Sequence, residues 1–262
     1  MTKPIVMEVQ DSVAYITLNR PESGNAIDLA FANALLKFVI QVDQDTSIRC
    51  AVIRANGQKF CVGGDLKAFH EVGKALPGFL SELVGVLHLA ISRLIQLKKP
   101  VLVLVNGPAA GAGFGLALVG DIVLASKSAT FTPGYGAIGL SPDAGLTWHL
   151  PRLIGMRKAQ RLMLLNQRLS AEDALAEGLI TDTVDDHVLD VEGVNWAKKL
   201  AKSSVAALGR TRQLLLGAQG DFEAHLDRET RAIVESASGA EVEEGLAAFF
   251  GKRVPEFGNR RG

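Results

Sequence analysis

The chain is poor in the residues that build disulfide frameworks and metal sites. Only two cysteines, Cys50 and Cys61, occur in 262 residues, and no C-x-x-C, H-E-x-x-H or P-loop lysine motif is present. Two cysteines are too few for a disulfide scaffold, and they fit a reducing compartment. The sequence therefore gives no support to a metal site or to nucleotide hydrolysis.

Net charge is also absent. Lysine plus arginine and aspartate plus glutamate number 28 each, so no overall field favours nucleic acid or an anionic membrane. The first ten residues, MTKPIVMEVQ, lack the long apolar region of a signal peptide. We expect a cytoplasmic protein with neither a nucleic-acid nor a membrane partner. A chain of this length can bury a large core, in one domain or in one domain with an appendage.

The chain does contain an uncharged, glycine-rich stretch that follows an apolar run. Val101–Val105 is bounded by Pro100 and Asn106, which is typical of a strand buried on both faces. Five glycines follow between positions 107 and 120, and glycine leaves backbone N–H groups uncovered. We expect a buried helix from about Leu116. A strand, a bare turn and a helix start can form an oxyanion site, but close packing of helix on sheet explains the same glycines equally well.

Two further interpretations of this stretch fit less well. Residues 101–120 are long enough to span a bilayer, but Asn106-Gly107-Pro108 interrupts them. A dinucleotide fingerprint requires a third glycine where Leu116 stands and an acidic residue about 20 positions further on. Asp121 comes too early for that role.

A second glycine turn, at positions 63 and 64, separates the predicted strand Ile48–Arg54 from a helical pattern that starts at Asp65. Asp65 is a good helix N-cap, and Gly64 is positioned to present its N–H outward. If both glycine turns follow adjacent strands of one parallel sheet, their N–H groups can converge on a single oxygen.

One carboxylate stands in a loop of small residues. Asp143 precedes Ala144-Gly145 and a short helical pattern that runs to Leu150. It is either the N-cap of that helix or an active carboxylate in an apolar pocket that includes Tyr135. His88 lies in the apolar half of a long predicted helix, where a lone histidine is usually a satisfied core residue.

From Met156 onward the pattern predicts a series of helices with one short strand at Ile180–Val184. Strands dominate the chain before that point. The sequence therefore predicts an α/β core at residues 1–200 and a helical oligomerisation region at 201–262.

Several blocks, in order and at matching spacing, resemble the crotonase superfamily, also called the enoyl-CoA hydratase/isomerase family, over nearly the whole chain. They are Leu18-Asn19-Arg20-Pro21 with Asn25-Ala26, FCVGGDLK at 60–67, Lys99-Pro100-Val101, NGPAAGAG at 106–113, GLSPDAG at 139–145 with Leu150-Pro151-Arg152, and EGLAAF at 244–249. The resemblance implies a spiral of β-β-α turns with a C-terminal helical trimerisation region, assembled as a homotrimer or a dimer of trimers. It implies an acyl-CoA thioester as substrate and no separate cofactor, because coenzyme A is part of the substrate.

The resemblance also assigns roles to single residues. The oxyanion donors are the N–H groups of Gly64 and Ala112, in agreement with the two glycine turns. The residues that resemble the CoA-binding part of the family are Asn25, Ala26, Asp28, Cys61, Asp65, Leu66 and Lys67, with Phe249 and Lys252 as further contacts from this or a neighbouring subunit.

The chain departs from the hydratases of the family. Those enzymes position water with two glutamates, and this chain has Gly115 and Tyr135 at the matching positions. Asp143 matches the single acid of the Δ3,Δ2-enoyl-CoA isomerases and of the phenylacetate-type isomerases. The resemblance therefore predicts an enoyl-CoA isomerase in which one aspartate moves a proton while an enolate is stabilised.

Three alternatives remain. In 4-chlorobenzoyl-CoA dehalogenases an aspartate at the position of Asp143 is a nucleophile, a histidine stands at the position of His88 and an aromatic residue stands at that of Tyr135. His88 and Tyr135 are thus possible accessory residues. An enoyl-CoA hydratase and a non-catalytic acyl-CoA binder are the other two, because a fold alone does not establish an activity.

Overall fold

The computed structural model describes residues 3–218 and 220–258. The strands in this part of the chain are β1 (Ile5–Gln10), β2 (Val13–Leu18), β3 (Cys50–Ala55), β4 (Val101–Val105), β5 (Ala109–Ala110), β6 (Ile122–Ser126), β7 (Thr130–Thr132), β8 (Leu169–Ser170) and β9 (Asp182–Val184). The helices are α1 (Leu29–Gln44), α2 (Leu66–Val72), α3 (Leu76–Gln96), α4 (Ala112–Ala117), α5 (Leu146–Ile154), α6 (Met156–Leu164), α7 (Ala171–Ala176), α8 (Leu189–Lys202), α9 (Val205–Leu216), α10 (Phe222–Ala237) and α11 (Ala240–Phe250).

The central sheet has the strand order β1-β2-β3-β4-β6-β9, and β5-β7-β8 form a small second sheet. The β1–β2 hairpin is antiparallel, whereas the other neighbours in the central sheet are parallel. The turns that follow β3 and β4 therefore leave the same edge of the sheet. This arrangement brings together the two glycine turns that the sequence analysis singled out.

Both faces of the central sheet are covered. Val101 and Val103 of β4 belong to the large apolar cluster that includes α1 and α3. Leu102 and Leu104 point to the opposite face, into the cluster that includes α8. Because neighbouring residues of a strand alternate between faces, a five-residue run that is apolar throughout is a strand buried on both sides. The prediction for β4 is confirmed.

One predicted helix bound was wrong. The long helix that contains His88 is divided into α2 and α3 by the segment Gly73–Ala75, and Pro77 lies in the first turn of α3, where proline is tolerated. The central helix α4 begins at Ala112 rather than at Leu116. Gly111 adopts a φ of +54° directly before it, and this left-handed conformation turns the chain from β5 into the helix.

The stretch 101–120 is β4, a turn, β5 and α4, and not one helix. Another stretch, Leu66–Gln96, is long and apolar enough to cross a membrane by composition, a test that the core helix of a soluble protein also passes. Only 22% of its apolar window is buried in this chain. The buried stripe of α3, which includes Leu83, Leu87 and Leu94, packs on the core.

A partly buried ion pair connects α9 with the central sheet. Nε of Arg212, on α9, lies 2.5 Å from Oδ1 of Asp121, and its guanidinium also donates to the carbonyl oxygens of Leu94 and Leu97. Oδ2 of Asp121 accepts the N–H of Val101 at 2.7 Å, at the start of β4. The helical region is therefore in direct contact with the α/β core. The predicted boundary between the two at residue 200 stays a prediction.

Candidate active site

The turns after β3 and β4 pack directly against each other. The N–H of Ala110 donates to the carbonyl oxygen of Cys61 at 2.9 Å. Gly63 has a φ of +91°, and a Cβ on it would lie 2.8 Å from the carbonyl oxygen of Ala110 and 3.4 Å from the nitrogen of Ala112. Only glycine permits this backbone-to-backbone approach, so the turn that carries Gly64 lies beside the start of α4.

Two N–H groups at this junction are available to a ligand. Within residues 3–218 and 220–258, neither Gly64 nor Ala112 donates its backbone N–H to a protein acceptor. Ala112 is the first residue of α4, and the first N–H groups of a helix have no partner inside it. Both residues line one cavity. Two free donors at the wall of one cavity are an arrangement that can stabilise a developing oxyanion.

Asp143 lies in the same cavity. It is half-buried, and its Oδ1 accepts a hydrogen bond from the hydroxyl of Tyr135. No described group donates to its Oδ2, which leaves that oxygen for a ligand. The alternative that Asp143 caps α5 is wrong, because Gly145 occupies the N-cap position and no side chain caps the helix.

Tyr135 is buried among groups that keep it protonated. Burial raises the pKa of its hydroxyl, and the nearby Asp143 carboxylate raises that pKa further. The phenol therefore stays a hydrogen-bond donor to Asp143 throughout the physiological pH range. The ring approaches the other turn as well, since a Cβ on Gly111 would lie 3.9 Å from Tyr135 Cζ.

The backbone that follows Asp143 fills the space beside Gly115. A Cβ on Gly115 would lie 2.5 Å from the carbonyl oxygen of Ala144 and 2.6 Å from its Cβ. Contacts this short do not occur, and the nearest atom is backbone, which cannot rotate away as a side chain can. The structure therefore has no room for any side chain at position 115, a glutamate included.

His88 does not lie in the core, which corrects the sequence-based expectation. It is exposed in this chain and lines the cavity beside Asp143. Its Nε2 accepts the N–H of Ala144 at 3.1 Å. The expectation failed because His88 follows the buried Leu87 on α3 and lies beside the stripe that packs on the core.

The cavity that these groups share has a volume of about 460 Å³ and walls that are mostly apolar. The apolar wall consists of Ile27, Val62, Leu66, Phe69, Leu80, Leu83, Val84, Leu87, Ile138, Leu140 and Pro142. His88, Tyr135 and Asp143 are its titratable side chains. The described lining contains no lysine or arginine.

Several residues assigned to coenzyme A form hydrogen bonds within the protein that stabilise the conformation of their own loops. Asn25 is fully buried, with a φ of +58°, and its amide donates to three carbonyl oxygens, those of Asn56, Lys59 and Phe60. The Cys61 thiol donates to the Asn25 carbonyl oxygen at 3.1 Å, and burial raises its pKa to about 12. Both residues are completely buried, and the backbone N–H and carbonyl oxygen of each are already hydrogen-bonded within the protein.

Two of the aspartates assigned to coenzyme A cap helices. Asp28 accepts two hydrogen bonds of 2.7 Å from Arg20 and one of 2.8 Å from the N–H of Phe31, at the start of α1. Asp65 caps α2, as predicted, by accepting the N–H groups of Lys67 and Ala68.

The remaining assigned residues divide into three groups. Ala26 is buried, and its carbonyl oxygen accepts from Arg20 at 3.0 Å. Leu66 and Lys67 are exposed at the start of α2, and Leu66 lines the cavity mouth. Phe249 and Lys252 lie at the end of α11, are exposed, and do not line the cavity. These CoA contacts stay predictions.

Sequence reasoning missed the part played by Ala144. It is completely buried with a φ of +50°, a conformation that alanine rarely adopts. The sequence offered one signal, the run Pro142-Asp143-Ala144-Gly145, in which small residues and proline mark an irregular loop. The pairing of Arg20 with Asp28 was also missed, although Arg20 stands in one of the quoted blocks.

Comparisons with known proteins agree with this geometry. The enoyl-CoA hydratase/isomerase family model matches residues 8–260. The 1,2-epoxyphenylacetyl-CoA isomerase of Escherichia coli K12 is 37% identical, over 98% of this chain and 99% of that protein. A probable enoyl-CoA hydratase of Rhodobacter capsulatus is 36% identical, over 97% of each chain. A crystal structure of a putative enoyl-CoA hydratase/isomerase from Mycobacterium abscessus superposes with a TM-score of 0.91 at 31% identity, over 98% of this chain and 100% of that chain. The chain belongs to the enoyl-CoA hydratase/isomerase family.

Proposed function

We propose that this protein is an acyl-CoA isomerase that moves a double bond along an enoyl thioester, with Asp143 as its single proton shuttle. The observation that carries the proposal is the filled space at Gly115, where the Ala144 backbone leaves no room for a glutamate. The second position that holds a glutamate in hydratases is Tyr135, which stays protonated. The pair of carboxylates that would position and split a water molecule is therefore missing, whereas an isomerisation needs only one.

In the proposed reaction the thioester oxygen of a 3-enoyl-CoA accepts the N–H groups of Gly64 and Ala112. Oδ2 of Asp143 removes a proton from C2, and the electron pair of that C–H bond forms a dienolate whose negative charge lies on the thioester oxygen. The same carboxyl group returns the proton to C4, which leaves the double bond between C2 and C3. Each oxyanion donor contributes about 3 kcal/mol of transition-state stabilisation, and a positioned acid–base group contributes about 10²–10⁴-fold in rate.

The cavity also indicates a class of acyl group. Its wall is apolar, and its described lining offers no cation to a second carboxylate. An acyl chain that ended in a carboxylate would leave its charge unpaired beside Asp143, which is costly in an apolar pocket. We infer an uncharged aliphatic or aromatic acyl group.

The exposed apolar side chains of Phe222, Ile233, Phe249 and Phe250 on α10 and α11 support assembly with further copies of the chain.

The Asp143→Asn variant tests the proposal. It keeps the shape of the side chain and its hydrogen bond with Tyr135 but cannot accept the C2 proton. We expect turnover of a 3-enoyl-CoA to fall by about 10²–10⁴-fold while the affinity for a saturated acyl-CoA of equal length stays the same. Turnover at the wild-type rate would refute the proposed role of Asp143.

A second candidate function uses Asp143 as a nucleophile on an aromatic acyl group. The observation that favours it is the position of His88, which lines the cavity next to Asp143 instead of lying in the core. A single turnover in H₂¹⁸O followed by mass spectrometry of the protein separates the two. Label in the Asp143 peptide indicates an ester intermediate that water has hydrolysed. Exchange of the C2 hydrogen for deuterium in D₂O, together with no ¹⁸O in the protein after the H₂¹⁸O turnover, indicates proton transfer.

A further inference from the structure

We propose that His88 is a positioning residue that aims the Asp143 carboxylate by holding the backbone of Ala144. The inference rests on the proposed function, in which Asp143 transfers the proton. His88 would touch neither the reacting carbon nor the proton. Its role would be to fix the one peptide unit that determines where the carboxylate points.

The first observation is the hydrogen bond itself. The N–H of Ala144 donates to Nε2 of His88 over 3.1 Å. A nitrogen that accepts an N–H carries no proton, so the imidazole is neutral here and its proton is on Nδ1. The only acceptor nitrogen of His88 is therefore already in use, and it is not free to take a proton from a substrate or a water molecule.

The second observation is the conformation that this bond secures. Ala144 has a φ of +50°, which an alanine leaves unless its surroundings hold it. Gly115 makes room for its carbonyl oxygen and methyl group on one side. The N–H would otherwise lack a protein partner, and His88 supplies one from α3. If Ala144 relaxed toward negative φ, the preceding peptide and the Asp143 side chain would turn with it.

The third observation is that Asp143 has few other restraints. Its side chain has one described partner, the Tyr135 hydroxyl, and its backbone carbonyl oxygen accepts the N–H of Leu146 at 3.1 Å. A misplacement of about 1 Å at a reacting group can cost roughly 10²-fold in rate. Holding the peptide that follows Asp143 is therefore a direct way to hold the carboxylate in place.

Position 88 offers a matched series of three variants. In His88→Gln the amide oxygen lies as many bonds from Cα as Nε2 does, so it can accept the same N–H, but it cannot transfer a proton at neutral pH. In His88→Asn the same amide is one bond too short. His88→Met fills the same space without a strong acceptor. Since His88 is exposed, we expect all three variants to fold, and thermal melting checks this.

We expect His88→Gln to keep nearly the wild-type kcat, and His88→Asn and His88→Met to lose about 10–100-fold in kcat with little change in KM. Amide hydrogen exchange at Ala144, followed by NMR, should be slow in the wild type and in His88→Gln and fast in the other two. Loss of kcat in His88→Gln equal to that in His88→Met would overturn the proposal, because it would mean that the imidazole itself transfers a proton. Wild-type kcat in all three variants would overturn it as well.

The Asp143→Asn variant, measured beside this series, separates the two proposals. If Asp143→Asn keeps its turnover, the proposed function fails, whatever position 88 does. If Asp143→Asn is inactive while the variants at position 88 depart from the expected order, only the positioning role fails.

Discussion

The Tyr135 hydroxyl donates to Oδ1 of Asp143, and both residues line the same cavity as Gly64 and Ala112. One carboxylate oxygen is thereby occupied by a donor that stays protonated, and the other is left for the substrate. This relationship assigns separate roles to the two oxygens of one side chain.

Tyr135→Phe removes this hydrogen bond and little else. Hydrogen bonds to charged groups are worth about 1.5–3 kcal/mol, so we expect kcat to fall by about 10–100-fold with KM nearly constant. Steady-state kinetics on a 3-enoyl-CoA provides the measurement. In the Asp143→Asn background the same change should have a much smaller effect, because the two residues act as a unit. Equal effects in both backgrounds would contradict the pairing.

Gly115→Ala should destabilise the fold, because its Cβ would overlap the Ala144 backbone. Overpacking of this kind costs about 1–3 kcal/mol, measurable as a lower free energy of unfolding in urea. Gly85→Ala is the matched control: nothing lies within 4 Å of a Cβ there, and it sits in the interior of α3. The control should gain about 0.5–1 kcal/mol. Equal stability of both variants would show that position 115 has free space.

The affinity for an acyl-CoA should depend on the charge at the end of its acyl chain. Hexanoyl-CoA and adipoyl-CoA have acyl chains of equal length and differ by a terminal carboxylate. We expect the uncharged ligand to bind at least about tenfold more tightly, since burial of an unpaired charge costs more than 1.4 kcal/mol. Isothermal titration calorimetry at one ionic strength measures both. Tighter binding of adipoyl-CoA would indicate a cationic acyl site and refute the inferred class.

Protonation of Asp28 should account for part of the loss in free energy of unfolding at low pH. Burial raises the pKa of its carboxyl, but the hydrogen bonds and charge of Arg20 and the N–H of Phe31 outweigh burial, so the pKa lies below its usual value. A carboxyl with a depressed folded-state pKa contributes stability above its unfolded pKa of about 3.9, and that contribution is lost as pH falls through the folded pKa. Asp28→Asn keeps the helix cap but not the charge.

The difference in free energy of unfolding between wild type and Asp28→Asn should therefore be constant near neutral pH and shrink below about pH 4. Urea denaturation at a series of pH values measures it. A difference that stays constant down to pH 2 would show that the Arg20–Asp28 pair contributes no pH-dependent stability.

Sequence reasoning predicted the parts of the fold with strong local signals. The hydrophobic run of β4 and the helix cap at Asp65 both depend on near neighbours in the chain, and both are confirmed. The two-residue strands β5 and β8 were not predicted, because so short a segment has no periodicity.

The candidate site was predicted less completely, for a physical reason. That two glycine turns converge follows once the strands are known to be parallel neighbours. That His88 reaches Ala144 depends on how α3 is rotated against a loop 56 residues further on, and no local pattern encodes that rotation. The exclusion of a side chain at Gly115 likewise results from contact with a distant loop.

The proposed oxyanion donors are main-chain groups, so exchanging the side chain at position 64 or 112 for anything except proline leaves the N–H in place. The polarising half of the site therefore needs no particular functional side chain, although a Cβ on Gly64 would lie 2.5 Å from Cζ of Phe69 and crowd that ring. The proton-handling half, by contrast, consists of single side chains. A lineage built on this scaffold is free to alter its chemistry by exchanging the residues around a preserved electrophile-activating pair. Relatives named for isomerisation and for hydration, at 37% and 36% identity, are what such a division of labour would produce.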